Sequence, residues 1–275
     1  MKTRKSYLVA VYIVLIIAIL VTNLPIISMV GTAFKPRSET LSIVSLFSAH
    51  PTFENFIHVF NKTSFGINLL NTIIVAFLVT LLCVALSSTA GYALSRARGK
   101  GYSLYTIMLL VLQMLPSMLV LIPLYVLLSS FHLVDSLFSL LIIYTAINLP
   151  FGIWTLKGFF DGIPYELNEA AMIDGCNNFQ AYYRIILPYS IPGIVSVAVF
   201  TFMNVWNEYT IASIFIQNKD LRTLSVGLRQ FMMQNSTDWA SMSAAATIAI
   251  IPAIIMVLFA QKFLISGLTS GSVKG

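Results

Sequence analysis

Long apolar blocks separated by short polar stretches constrain this chain more than any other feature. A helix needs about 20 mostly apolar residues to cross the hydrocarbon core of a bilayer. Six blocks reach roughly that length, and they are residues 7–32, 68–95, 102–130, 137–159, 190–216 and 243–266. Only 9% of the 275 residues are charged, against about 25% in a soluble domain. Because backbone polar groups in lipid must be satisfied within each segment, the sequence predicts an all-α, polytopic membrane protein with six transmembrane helices.

The first block is expected to stay in the mature protein as a membrane helix. Lys2, Arg4 and Lys5 precede an apolar run from Tyr7 to Val30, whereas the apolar region of a signal peptide spans about 7–15 residues. Proline removes a backbone donor and kinks helices. Four prolines within later blocks are therefore expected to do so: Pro116, Pro123, Pro150 and Pro252.

Lys and Arg orient the predicted spans. With the N-terminus in the cytoplasm, ten of the 16 basic residues fall inside and six outside. Short loops follow the positive-inside rule best, and the turn Arg96–Lys100 alone carries three cations. Both termini are therefore expected in the cytoplasm. Three polar segments then connect the spans: residues 33–67 and 217–242 outside, and residues 160–189 inside.

The cytoplasmic segment opens with a predicted short helix of about three turns. Pro164 suits the first turn of a helix, and Gly175 suits the position just past its end. Glu166 and Glu169 lie near its start, where the helix dipole favours negative charge.

A second short helix is predicted to follow. Asn177 or Asn178 can cap it, and Pro188 ends it or bends it into the fifth span. Four residues recur at helical spacing and predict one face: Phe179, Tyr182, Tyr183 and Ile186. Periodicity alone favours the plainer interpretation, in which both helices only cover the cytoplasmic end of the bundle.

The same segment resembles a known loop. Glu169-Ala170-Ala171, then Gly175, then Leu187-Pro188 match the spacing of the EAA loop in binding-protein-dependent ABC importer permeases. The resemblance implies a type I ABC importer permease fold, in which this loop docks in a cleft on a cytoplasmic ATPase. The residues that it assigns to docking are Glu166, Glu169, Ala170, Ala171, Asp174, Gly175, Leu187 and Pro188.

Further motifs resemble the MalG type of carbohydrate permease. These motifs are Ala90–Arg96 (AGYALSR), Leu156–Phe160 (LKGFF), Trp206–Tyr209 (WNEY) and the closing stretch Gln261–Gly275. The resemblance covers the chain from about residue 66 and implies three segments: residues 1–65 with the first helix and an extracytoplasmic loop, residues 66–266 with the permease core, and residues 267–275 as a cytoplasmic tail.

The MalG-type resemblance also implies location, cargo and partners. It implies a subunit of a bacterial plasma-membrane importer for a sugar, with a maltodextrin-like oligosaccharide as the first expectation. Its partners would be a second, homologous permease, two ATPase subunits and an extracytoplasmic sugar-binding protein. The tail residues implied to reach the ATPases are Gly267, Leu268, Thr269, Ser270 and Gly271. Those implied to contact the binding protein are Gln234, Asn235 and Ser236.

Polar residues inside the fifth block form a second candidate site. Asn204 and Glu208 are four residues apart and share a helix face, and Asn207 is three residues from Asn204. A charge at membrane depth costs roughly 2.5–3.5 kcal/mol on insertion scales, so it faces the bundle interior or water. These residues either line the translocation path or hold helices together by hydrogen bonds, and the sequence favours neither.

Other functions lack their sequence signatures. An ion-coupled secondary transporter would place ionisable residues in several spans, and here only Glu208 qualifies. There is no phosphate-loop motif, no His-Glu-x-x-His motif and no basic run interleaved with aromatic residues. We therefore expect no catalytic, cofactor or metal site and no nucleic-acid partner. An ABC importer for a cargo other than sugar remains the first alternative, and an ion-coupled secondary transporter remains the second.

Overall fold

The computed structural model describes residues 2–40, 45–232 and 237–270. Within those ranges the regular structure is helical, apart from one isolated bridge between Met232 and Thr237, so the all-α prediction is confirmed. The α-helices are α1 (Lys2–Ala33), α2 (Glu54–Lys62), α3 (Phe65–Arg96), α4 (Lys100–Met114), α5 (Ser117–Ser130), α6 (Leu137–Asp161), α7 (Glu166–Ile173), α8 (Asn178–Ala181), α9 (Leu187–Tyr189), α10 (Ile191–Asn207), α11 (Thr210–Phe215), α12 (Leu224–Gly227) and α13 (Trp239–Ser270). A π-helical turn occupies Tyr182–Ile186, and 3₁₀ turns occupy Lys219–Leu221 and Leu228–Phe231.

Four helices in the described ranges, α1, α3, α6 and α13, are long and apolar enough to cross a membrane unbroken. The predicted third span is interrupted, because α4 and α5 meet at 98°. Leu115 precedes Pro116 and is extended (φ −69°, ψ 126°), since a proline ring disfavours helical geometry in the residue before it. The remaining three prolines lie inside continuous helices: Pro123, Pro150 and Pro252.

The predicted fifth span, residues 190–216, is also interrupted, which corrects the expectation of one continuous helix. Helix α10 ends at Asn207, Glu208 is extended (φ −70°, ψ 129°), and α11 begins at Thr210. Before it, the chain bends by 75° at Ser190 where it enters α10. Four of the six predicted spans are thus unbroken helices, and the count reaches six only if each of the two bent helix pairs forms one span.

Two compact units divide the chain: Met1–Gly66 with Leu228–Ile251, and Ile67–Gly227 with Pro252–Gly275. In the first unit, the Nδ2 atom of Asn55 donates to the carbonyl oxygens of Ala33 (2.9 Å) and Lys35 (2.7 Å). These bonds satisfy carbonyls at the C-terminal end of α1 and hold α2 there. Arg37 and Asp238 form an ion pair at 3.3 Å in the same unit.

In the second unit, α3, α6 and α10 approach closely at small residues. A Cβ on Gly91 would lie 3.0 Å from the backbone nitrogen of Lys157. A Cβ on Gly152 would lie 2.9 Å from the Ser87 side chain and 3.3 Å from Val197. Small residues at helix crossings let backbones approach, as is common in membrane bundles. This tightly packed trio supports the segment between α6 and α10.

Candidate functional site

The segment between α6 and α10, residues 162–190, folds as a two-limbed unit that we call the elbow. Its first limb is α7, eight residues long and thus shorter than the three turns expected. Gly175 follows with a left-handed φ of +87°. Its N–H donates to Met172 O (3.1 Å), and the next N–H, of Cys176, donates to Ala171 O (2.9 Å). This Schellman motif ends the helix at the glycine that the sequence indicated.

The second limb begins with a reciprocal cap. Asn177 Oδ1 accepts the N–H of Gln180 (2.8 Å), and Gln180 Oε1 accepts the N–H of Asn177 (2.9 Å), which satisfies otherwise unpaired donors. Of the two candidate asparagines, Asn177 is therefore the cap. The limb then widens into the π-helical turn and ends at Ser190, whose Oγ donates to Ile186 O (3.0 Å).

One side of the elbow is buried against the bundle. Tyr182 and Ile186 pack in a core with Leu156 and Phe160 of α6 and Val197 of α10. Burial of such large apolar side chains contributes roughly 1.5–3 kcal/mol each relative to exposure. The second limb is therefore fixed to α6 and α10 rather than free to swing.

Two hydrogen bonds attach the elbow to α3. The Tyr182 hydroxyl donates to Ser88 Oγ at 3.0 Å, and Asn168 Nδ2 donates to the Tyr92 hydroxyl at 2.6 Å. Asn168 is 4% exposed, so loss of its partner would leave a buried amide unsatisfied. Each limb is thus bonded to the same helix.

Arg96 joins the entrance of the elbow to the end of α3. Both terminal guanidinium nitrogens donate to the carbonyl oxygen of Ile163 at 3.3 Å. The guanidinium also lies 5.8 Å from the Tyr92 ring centroid and 5.6 Å from that of Tyr165, within cation–π range. The sequence marks Arg96 as an orienting charge and as the last residue of the AGYALSR motif, but it does not predict this anchoring role. The signal available was the motif that ends the second span, which contains both Tyr92 and Arg96.

The opposite side of the elbow is open. Among the residues assigned to docking by resemblance, six are exposed: Glu166, Glu169, Ala170, Asp174, Gly175 and Pro188. Leu187 is half-buried. Ala171 is 2% exposed and packs into the protein, because successive helical residues point about 100° apart. It is therefore excluded from any surface that a partner reaches.

The aromatic stripe of the second limb does not lie on one buried face, contrary to the expectation from periodicity. Tyr182 and Ile186 point inward, while Phe179 and Tyr183 are 72% and 63% exposed. The stripe straddles the boundary between the packed and open sides of the limb. Ile173, which is 86% exposed, is a third exposed apolar side chain of the elbow, and residues 164–189 also carry three carboxylates and one guanidinium.

Glu208 is bound by several helices. Its carboxylate accepts hydrogen bonds from the Tyr144 hydroxyl of α6 (2.6 Å) and from the N–H groups of Ile211 (2.8 Å) and Ala212 (3.1 Å). The Ser225 hydroxyl donates to its carbonyl oxygen at 2.5 Å. Because the carboxylate caps α11 and ties it to α6, these contacts favour the interhelical alternative for this side chain.

Asn204 lies beside Glu208, as the spacing indicated. Its Nδ2 donates to Asn148 Oδ1 at 2.8 Å, and these three residues line a cavity of about 210 Å³. Asn207 is exposed and donates to Met203 O in its own helix (2.8 Å), and it does not line that cavity. The structure therefore brings together two of the three predicted path residues.

The other candidate contacts lie at the edges of the described chain. Gln234, Asn235 and Ser236 fall outside the described residues, as does Gly271. Helix α13 continues through Ser270, beyond the predicted end of the last span at residue 266. The backbone of Gly267, Leu268, Thr269 and Ser270 is therefore helical.

Known proteins resemble the chain over most of its length. Residues 84–270 match the family described as binding-protein-dependent transport system inner membrane component. The chain is 36% identical over 280 residues to a probable ABC transporter permease protein, YurM, of Bacillus subtilis, covering 99% of this chain and 91% of that protein. It is 38% identical over 227 residues to the trehalose/maltose transport system permease protein MalG of Thermococcus litoralis, covering 82% of each. The fold superposes with a TM-score of 0.84 on a chain of a bacterial ABC transporter that imports the acidic polysaccharide alginate, at 19% identity and covering 95% and 98% of the two chains.

Proposed function

Because this chain belongs to the family of binding-protein-dependent transport system inner membrane components, we propose that it is a pore-forming permease subunit of an ATP-driven sugar importer. Sugar cargo is supported by the relative named for trehalose and maltose and by the resemblance of the WNEY motif and the closing stretch to those of carbohydrate permeases. An oligosaccharide of the maltodextrin kind is the first candidate.

The elbow is the proposed docking element for the ATPase. The observation that carries this proposal is its two-sided construction: one side is locked to α3, α6 and α10, and the other presents exposed apolar and acidic groups. Ile173, Phe179 and Tyr183 would fill an apolar cleft, while Glu166 and Glu169 would pair with basic groups of the partner. Because the anchors leave the elbow little freedom, displacement of the docked ATPase would move the bundle with it.

The contacts of the elbow with α3 and α6 suggest how movement of the ATPase would be transmitted to the membrane helices. Arg96 and Tyr92 bond the elbow to the end of α3, and Leu156 and Phe160 pack it against α6. Rigid-body motion of packed elements is a common way to alternate between two states. ATP hydrolysis would therefore open and close the pore through this elbow, with the hydrolysis itself carried out by the partner chain.

The remaining partners follow from the same assignment. In the described chain, none of the most hydrophobic stretch of α1 is buried, which leaves that surface for lipid or for a second, homologous permease. Two ATPase subunits and an extracytoplasmic sugar-binding protein would complete the importer. Residues 234–236 are proposed to contact the binding protein, and residues 267–271 the ATPases. Both termini would be cytoplasmic in a bacterial plasma membrane.

Co-purification tests the elbow. The tagged chain would be co-expressed with a second permease and an ATPase encoded beside it, and ATPase recovery measured per mole of permease. Ile173→Glu should reduce recovery, because it places a charge in the proposed apolar contact. Ile57→Glu is the matched control, since Ile57 is also exposed (59%) but lies on α2, on the expected extracytoplasmic side. Equal recovery with both variants would contradict docking through the elbow.

Uptake in proteoliposomes tests the cargo and the energy source. The assembled importer, with its binding protein outside and ATP inside, should accumulate at least one of labelled trehalose, maltotriose or maltotetraose. Uptake driven by a proton or sodium gradient without ATP would instead support a secondary transporter. ATP hydrolysis without uptake of any of these sugars would favour a different cargo.

A further inference from the structure

Two helix interruptions in the second unit line neighbouring cavities. The break at Leu115 borders a cavity of about 560 Å³, and the break at Glu208 borders the cavity of about 210 Å³. Non-helical backbone at membrane depth is tolerated only where protein covers it or where it lines a water-filled space. Because Asn148 and Asn204 line both cavities, the two breaks flank one polar wall.

That wall retains hydrogen-bonding capacity. Asn148 is 3% exposed, and its amide is engaged by Tyr144 O and by Asn204 (both 2.8 Å). Asn204 is exposed, and an amide has one oxygen acceptor and two N–H donors, of which the bond to Asn148 uses one. Gln113 adds a second exposed amide to the larger cavity. Amides facing hydrocarbon would be costly, so this surface requires water or a polar ligand.

Two aromatic rings add an apolar surface to the larger cavity. Phe151 and Phe200 stack with centroids 3.9 Å apart and planes 29° apart, and both line the larger cavity. Phe200 remains 46% exposed. A pyranose presents C–H groups on its ring faces and hydroxyls around its edge, so it can lie on a ring while it bonds to amides.

Charge and size narrow the ligand class. Among the described residues that line the larger cavity, three carry amides, twelve are apolar and none is ionisable, and the cavity volume is within the roughly 300–1,000 Å³ typical of small-molecule sites. Of these two cavities, Glu208 borders the smaller, and its carboxylate already accepts three hydrogen bonds. A neutral, hydroxyl-rich ligand therefore fits better than an anionic one.

We propose that the larger cavity, with Asn204 and Phe200 as its principal contacts, is a binding subsite for one neutral pyranose unit of the saccharide in transit. This inference rests on the proposed sugar-import function and adds a cargo contact within this subunit. Binding would be weak and brief, because the cavity is open and a transported sugar must leave it.

Thiol accessibility tests whether the cavity holds water and sugar. In a Cys83→Ala, Cys176→Ser background, Asn204→Cys in the assembled importer should react with a charged methanethiosulfonate reagent. Phe77→Cys, at an exposed apolar position of α3 (62%) outside the cavity, should not. Saturating maltotriose, delivered with the binding protein and ATP, should slow the reaction at Cys-substituted Asn204 in proportion to the time that sugar occupies the cavity, and no slowing at all would count against the subsite. A rate no faster than that of the Phe77 variant would mean that an apolar surface of the second permease fills the cavity, and the proposal would fail.

Uptake measurements distinguish an error in the proposed subsite from an error in the proposed sugar cargo. At equal amounts of assembled complex, Phe200→Ala and Asn204→Leu should each lower saccharide uptake several-fold, and Phe200→Tyr, which keeps the ring, should restore it. Wild-type importer that takes up none of the test sugars would overturn the proposed cargo. Wild-type uptake that both variants match would overturn the subsite alone, as would equal uptake of acidic and neutral oligosaccharides.

Discussion

Substituting valine for Gly175 tests whether the elbow must keep its shape to bind the ATPase. Gly175 adopts φ +87°, and an added Cβ would meet nothing within 4 Å in this chain. A clash within the chain is therefore excluded, and the penalty comes from the backbone. Left-handed geometry costs an L-residue roughly 1–2 kcal/mol, with β-branched residues especially unfavourable.

The size of the effect follows from that penalty. Relaxing the strain would undo the two Schellman hydrogen bonds and redirect the second limb relative to the first. If the docked state requires the native turn, a penalty of about 1–2 kcal/mol should weaken ATPase binding about 5- to 30-fold. We expect the dissociation constant of the ATPase to rise by that factor.

The measurement is a binding titration of purified ATPase onto the permease pair in nanodiscs. Gly175→Asn serves as the matched control, because asparagine tolerates left-handed geometry and should bind nearly as wild type does. Gly101→Val, at another glycine with nothing within 4 Å, controls for adding a valine at an open helical position.

Two results would refute this reasoning. Equal weakening by valine and asparagine would mean that the partner's surface excludes any side chain at Gly175, so that backbone strain is not the cause. Wild-type affinity with valine would mean that docking does not depend on the angle between the two limbs.

Three further predictions concern orientation and packing. Native Cys176, half-buried on the elbow, should react with an impermeant maleimide in inside-out vesicles lacking the ATPase and not in right-side-out vesicles. Buried Cys83 should stay unreactive in both. Reaction of Cys176 only in right-side-out vesicles would place the elbow outside the cell and contradict the predicted topology. Gly152→Ala should lower the Tm of the purified complex, since its Cβ would lie 2.9 Å from a serine side chain of α3 and overpacking costs about 1–3 kcal/mol. Gly158→Ala on the same helix has nothing within 4 Å and should leave the Tm unchanged or raised, so equal shifts for the two variants would argue against the close crossing. Glu208→Gln should also lower the Tm, because the glutamine amide presents one oxygen to three donors and a buried unsatisfied donor costs about 1–3 kcal/mol. An unchanged Tm would count against the role of the carboxylate in joining α6 to α11.

Sequence alone determined the features that depend on neighbouring residues. The apolar blocks identified the membrane class and the four unbroken spans, because crossing lipid is a requirement on each segment separately. The turn at Gly175, and a cap at either Asn177 or Asn178, were readable for the same reason, since both features satisfy backbone groups only a few residues away. The resemblance to ABC importer permeases indicated the family to which the chain belongs.

Tertiary structure alone decided the features that depend on distant partners. Glu208 lies just past the end of α10, where its carboxylate accepts a hydrogen bond from the hydroxyl of Tyr144, 64 residues earlier. Its place in the fifth block gave no sign of this partner. Asn168 is held by Tyr92 across 76 residues, which periodicity cannot reveal. The division of the aromatic stripe into buried and exposed halves likewise required knowing where α6 and α10 lie, because hydrophobic spacing defines a helix face without saying what covers it.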